Sequence, residues 1–253
     1  MNMNYIDKVL IHIHGGIFVR TKIIVLSRKK LMLWLVLLIL VITFMMSLQM
    51  ISINTMNYYD PIYKGEADEK EIAFACNVVW GNEYLPEILQ ILKENNIRIT
   101  FFIGGGWASK YPEELKAIYQ EGHELGNHGE NHKKQTQLNI EQNKREILKA
   151  EESIKNVTGV KTTLFAPPYG DINKTVVDTA EGLGYKVIMW SIDTIDWNTK
   201  DYSKIIERVE KKQHSGAIVL MHPTEVTVKA LPELIKSLKN KGYEISSVSK
   251  VLD

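Results

Sequence analysis

Four short stretches of this sequence hold the residue types that proton transfer and metal binding require. His128 and His132, in HGENH, are four residues apart. On a helix or tight loop that spacing puts both imidazoles on one face, where they could hold one metal ion. His222 closes the apolar run GAIVLMH and offers a general acid. Asp193 and Asp196, in WSIDTIDW, follow another apolar run. Either carboxylate could orient His222 by a hydrogen bond and favour its protonated form. In APPYG (166–170) two prolines stiffen a chain end, so that Pro168 and Tyr169 could bring a backbone N–H to a bound carbonyl. Taken singly, each stretch also has an ordinary structural reading: surface histidines, a helix cap, a core-edge histidine, a turn.

Their value depends on the elements that position them. Strand-like apolar runs occur at 72–79, 98–104, 163–167, 185–192, 217–222 and 244–252, with a shorter one near 123–128. Helical patterns lie between them. Leu85, Ile88, Leu89 and Leu92 share one face, as do Leu231, Leu234, Ile235 and Leu238, and Ile140, Ile147 and Ile154 recur every seven residues. Alternation of strands and helices, with nearly continuous apolar strands, predicts a parallel sheet wrapped by helices. Seven strands in the 183 residues from 71 to 253 are few for an eight-fold barrel of about 250 residues, so the expectation is an incomplete or distorted (β/α) barrel. In such folds working residues gather at the C-terminal ends of strands. Those ends carry Asn77, Val79 and Trp80; Asn127 and His128; Pro168 and Tyr169; Asp193, Asp196 and Trp197; then His222. GGG at 104–106 lacks the pattern of a phosphate loop, which weakens a nucleotide-dependent reading, and no nucleotide is expected as a partner.

Charge divides the chain. The 253 residues carry 31 Lys and Arg against 30 Asp and Glu, a net of +1, with no basic excess to suggest a nucleic-acid partner. Residues 1–30 hold six basic groups and the single acid Asp7, residues 31–59 hold no charged side chain, and residues 60–253 have a net charge of −4. The run Leu31–Ile53 exceeds the roughly 20 apolar residues that span a bilayer as a helix. Arg28, Lys29 and Lys30 before it place the N-terminus in the cytoplasm and the C-terminal part outside. The expected organisation is a basic segment (1–30), a retained transmembrane helix (31–53), a linker (54–70) and an extracytoplasmic domain (71–253) in a single-pass membrane protein. Cys76, the only cysteine, has no partner for an internal disulfide.

The ordered set of the Asn77 region, HGENH, APPYG, WSIDTIDW and IVLMH resembles the five motifs of the NodB-homology polysaccharide deacetylases, carbohydrate esterase family 4. Trp80-Gly81 is similar to the end of the first motif in the sporulation-type branch. The resemblance covers about residues 70–252 and implies a distorted (β/α)7 barrel that hydrolyses N-acetyl groups of peptidoglycan- or chitin-like sugars. It implies a divalent metal, usually zinc, held by one Asp and two His, with His128 and His132 as those histidines. It also implies His222 as general acid with Asp193 as its hydrogen-bonding partner, the Tyr169 N–H as oxyanion donor, and Pro168, Tyr169 and Trp197 lining the glycan.

The departures fall in the first and third motifs. Asn77 stands where the family has its base, and Val78 or Val79 where it has its acidic ligand. An amide takes no proton at neutral pH and a valine methyl binds no metal, so a weakened metal site is expected. Ala166 replaces an Arg that orients the base. Two readings follow: an anchored, metal-dependent deacetylase of a cell-envelope glycan, or a non-catalytic relative that keeps the glycan groove.

Overall fold

The computed structural model describes residues 8–13, 22–54, 61–66 and 69–253, in two compact units, 1–58 and 59–253. In the first unit, strands Lys8–Ile13 and Lys22–Ser27 pair antiparallel and lead into helix Arg28–Asn54. Its stretch Arg28–Ser47 is long and apolar enough to cross a membrane, and none of it is buried. Trp34, Leu38, Leu40 and Phe44 are all exposed. A helix apolar on every side has no polar face to give to water. The helix begins three residues before the expected span and takes in the basic cluster Arg28, Lys29 and Lys30.

The second unit alternates strands and helices in chain order. They are β1 Glu71–Val78, α1 Leu85–Glu94, β2 Thr100–Ile103, α2 Gly105–Lys110, α3 Pro112–Gln120 and β3 Glu124–Asn127. Next come α4 Ile140–Thr158, β4 Leu164–Phe165, α5 Lys174–Gly182, β5 Lys186–Val187, β6 Ile192–Asp193 and α6 Tyr202–Lys212. Last are β7 Ala217–Met221, α7 Glu225–Asn240, β8 Glu244–Ser246 and α8 Val248–Leu252. All strand pairs in this sheet are parallel, in the order β5-β4-β3-β2-β1-β7-β6. The short β8 joins the start of β1, on the side where β2 joins its end.

The run 185–192, expected as one strand, is divided between the two edges of this sheet. β5 pairs with β4 at one edge and β6 with β7 at the other. Only residues 188–191 separate them, so the edges lie within about 18 Å of each other, the reach of five extended residues. The sheet must therefore curl, and the expected distorted barrel is what forms. Part of the expected linker fills the seam. Ile62 N–H donates to Val187 O (2.8 Å), Met189 N–H to Ile62 O (2.7 Å) and Gly65 N–H to Gly216 O (2.8 Å). The last expected strand, 244–252, stops at Ser246. Val248 and Val251, three apart, turn inward as a short helix and plug the barrel against Ala73, Ala75 and Phe102.

Two apolar layers follow from the period-two alternation of β1. Ile72, Phe74, Cys76 and Val78 face the helices, whereas Ala73 and Ala75 face the interior. The helix faces expected at 85–92 and 231–238 are buried in the outer layer. Ile147 and Ile154 are buried as well, but Ile140, the first residue of α4, is exposed. Inner space is tight at β3, where a Cβ on Gly126 would lie 2.3 Å from the Phe102 ring. Gly126→Ala should therefore destabilise the protein by about 1–3 kcal/mol through overpacking. Adding Phe102→Leu should recover part of that loss in urea denaturation; equal losses in the single and double variants would contradict it.

Candidate active site

The C-terminal ends of the strands bring together His128 and His132, Tyr169, and His222 with Trp80. The His128 ring lies 5.1 Å from the His132 ring, which lies 4.3 Å from the Tyr169 ring (centroid distances). His128 is buried at the end of β3, and its Nδ1–H donates to Ala166 O (2.7 Å). A carbonyl can only accept, so the proton sits on Nδ1 and Nε2 presents its lone pair. Ala166, which stands where the resemblance leads one to expect Arg, thus supplies a backbone oxygen that fixes the tautomer. Asn127 holds the loop from beneath: its Oδ1 accepts Gly129 N–H (2.8 Å), and its Nδ2 donates to Ile147 O (2.8 Å) on α4. Further along, Asn131 donates through both its backbone N–H and its Nδ2 to the Glu146 carboxylate, each at 2.8 Å. Asp171 accepts from Thr136 N–H (2.8 Å) and so ties the Pro168–Tyr169 turn to the same loop.

His222 at the end of β7 is held by Asp196. Its Nδ1–H donates to Asp196 Oδ1 (2.8 Å) and its backbone N–H to Asp196 Oδ2 (2.6 Å), which also accepts the Thr227 hydroxyl (2.6 Å). The Asp196 side chain is fully buried and these donors satisfy it. The role that the resemblance gave to Asp193 is therefore corrected to Asp196. Asp193 ends β6, and its Oδ1 accepts Ile195 N–H (2.8 Å) in a local turn. That turn passes through Ile195 at φ 54° and aims the next carboxylate back at His222. His132, Tyr169 and Ile195 are three of the four non-glycine residues with positive φ among those described. Backbone strain of this kind gathers where a site is held against local preference. Thr227 and Trp80 were not assigned roles from the sequence. Thr227 carries no local signal, and Trp80 showed only as part of the first motif.

At the first motif, Asn77 is buried at the end of β1, on the strand face of Ala73 and Ala75. Its Oδ1 has no hydrogen-bond partner. Val78 packs in the outer layer, so Val79 is the valine on Asn77's face, against Gly104. Two imidazoles fall short of the three protein ligands of a catalytic zinc site. Among the described residues no group of three or more His, Cys, Asp or Glu could hold a metal ion. The residues present therefore do not make up the donor set that the resemblance implies. Pro168 is buried, whereas Tyr169 and Trp197 are exposed.

Burial, with the neighbouring His132 adding to it, lowers the pKa of His128 from 6.5 to about 3. Burial also lowers His123, beneath the barrel, to about 4, and shifts His132 downward. At His123 and His128 the unfolded chain binds protons from about pH 6.5 downward while the folded chain does not, so stability falls as pH falls through that range, and His132 acts in the same direction. Each of His123 and His128 contributes at most about 1.4 kcal/mol per pH unit. Urea midpoints should drop between pH 7 and pH 5, and His123→Gln should flatten the slope by about one proton's worth. A pH-independent midpoint would contradict this. Asp196→Ala should cost about 3–5 kcal/mol by stripping a buried pair of one partner. Asp193→Ala should cost about 1 kcal/mol for one local hydrogen bond. Thermal denaturation of both variants checks the order.

Comparison with known proteins gives a consistent picture. The polysaccharide deacetylase family model matches residues 64–188. The protein YlxY of Bacillus subtilis is 41% identical over 194 residues, covering 77% of this chain and 61% of its own length; this chain thus spans less than two thirds of that relative. The peptidoglycan-N-acetylmuramic acid deacetylase PdaA of Bacillus subtilis is 31% identical over 199 residues, covering 77% and 76% of the two chains. A solved CE4 family pseudoenzyme from Bacillus anthracis superposes with a TM-score of 0.75 at 38% identity, covering 77% of this chain and 69% of that one. A mutant of that pseudoenzyme, described as having restored enzymatic activity, superposes with the same TM-score at 37% identity.

Proposed function

This chain belongs to the polysaccharide deacetylase family, whose members hydrolyse N-acetyl amides, and on that footing we propose that it binds an N-acetylated cell-envelope glycan and deacetylates it only slowly. The observation that carries this reading is Asn77 at the base position, with Val79 beside it where the resemblance puts an acidic ligand, and no group of three or more His, Cys, Asp or Glu among the described residues that could hold a metal ion. General-base catalysis is worth about 10²–10⁴ in rate, and an amide cannot supply it. What remains is the other half of the reaction. His222, held by Asp196, can protonate the departing amine at Nε2, and Tyr169 and Trp197 offer aromatic surface to a sugar. When bound, a divalent metal supplies Lewis-acid polarisation in this family, and the two histidines alone would hold it weakly. Helix Arg28–Ser47 anchors the chain, and the basic cluster at its start keeps the N-terminus in the cytoplasm and the domain outside. A purely glycan-binding role is the second reading, favoured by the likeness to a pseudoenzyme.

The test uses the full chain in detergent with zinc, cobalt or nickel and N-acetylated oligosaccharides. Wild type should bind glycan and release acetate slowly. Asn77→Asp should raise acetate release by about 10²-fold, Val79→Asp should raise metal affinity, and His222→Ala should abolish turnover. Undetectable acetate from the wild type with glycan binding retained selects the second reading. Acetate release that Asn77→Asp leaves unchanged removes Asn77 from the base position.

A further inference from the structure

The interaction left unexplained is at the edge of the cleft, where the Trp80 indole lies flat against His222. The ring centroids are 5.7 Å apart and the planes 10° from parallel. Trp80 is 42% exposed, so the indole is only partly covered there. The backbone beneath it is fixed. Gly81 follows at φ 77°, and a Cβ there would lie 2.1 Å from Pro223 O. The turn after Trp80 is thus pressed against the peptide that follows His222. Tyr84 N–H donates to Gly81 O (3.0 Å) and Thr224 N–H to His222 O (2.9 Å), closing each turn on itself.

We propose that Trp80, seated by Gly81, is a positioning residue for His222. The argument is one of remaining freedom. The bond from His222 Nδ1 to Asp196 Oδ1 holds one edge of the imidazole, but a ring held at one edge can still swing about that bond as an axis. A second plane laid parallel against its face removes the swing. Together the carboxylate and the indole leave Nε2 as the free nitrogen, at a fixed height above the end of β7. His128 is oriented by a backbone oxygen and needs no such device. His222 lies partly exposed at the cleft edge, where packing alone does not fix a ring.

The proposal rests on His222 being the acid of the reading above, but its principal readout needs neither metal nor glycan. The full chain, labelled with ¹⁵N and ¹³C at histidine and held in detergent, is compared with Trp80→Ala, Trp80→Phe and Gly81→Ala; His222→Gln assigns the signals. In wild type the His222 ring protons should be shifted upfield by the indole, with one tautomer, Nδ1–H, in the neutral form. Trp80→Ala should abolish the shift and mix the tautomers, Trp80→Phe should keep most of both, and Gly81→Ala should reduce both. Unchanged His222 signals in a folded Trp80→Ala protein overturn the proposal, and if that variant fails to fold, unchanged signals in Gly81→Ala do so. In an Asn77→Asp background, Trp80→Ala should lower kcat by tenfold or more, about 1.4 kcal/mol, with little change in KM. A change in KM alone would make Trp80 a sugar contact and overturn positioning. An inactive background tests the functional reading alone and leaves the spectral result standing.

Discussion

One buried carboxylate holds together the part of the cleft that survives. Asp196 sits without solvent between the loop after β6, the end of β7 and the first turn of α7, and receives hydrogen bonds from the backbone and ring of His222 and the hydroxyl of Thr227. A desolvated charge is costly unless every lone pair is engaged, so its donors cannot drift independently. The backbone and ring of His222 and the hydroxyl of Thr227 are all placed by this need. Ile195 accepts a backbone conformation that β-branched residues avoid so that the carboxylate can arrive.

Much of this was legible in the sequence because it is written in periodicity. Alternation placed the strands, the spacing of Leu and Ile placed the buried faces of α1 and α7, and the strand ends held His128 and His222, which the structure places together with His132 and Tyr169. What was not legible depended on geometry between segments. Asp193 and Asp196 are equivalent by composition, and only the turn at Ile195 separates them. The split of 185–192 between two sheet edges leaves no mark in an apolar run. Ile62 and Gly65 read as linker because backbone pairing across a seam has no side-chain signature. The inward turn of Val248 and Val251 looked like more strand for the same reason.

Asn77 and Ala166 read together as one change. The resemblance leads one to expect an acid at the first of these places and an arginine that orients it at the second; this sequence has neither charge. Loss of one alone would strand the other, at a cost of several kcal/mol in a buried setting. The amide that remains is not inert filler. Its buried oxygen lacks a partner, a penalty of about 1–3 kcal/mol that an apolar side chain of similar size would avoid.

The seam of the barrel sets where the sequence can change length. Surface connections usually tolerate added residues, because each doubling of a loop adds only about 0.6 kcal/mol. The tetrapeptide 188–191 has no such latitude, since β5 and β6 on either side are locked into opposite edges of one curled sheet. One inserted residue there would have to be absorbed by slipping β6 past β7, which sends every side chain of the strand to the other face. Asp193 and the turn behind it would rotate away, and with them the carboxylate that holds His222. Among descendants of this chain, insertions should therefore accumulate in the helical connections, while this short run keeps its length even where its residues drift.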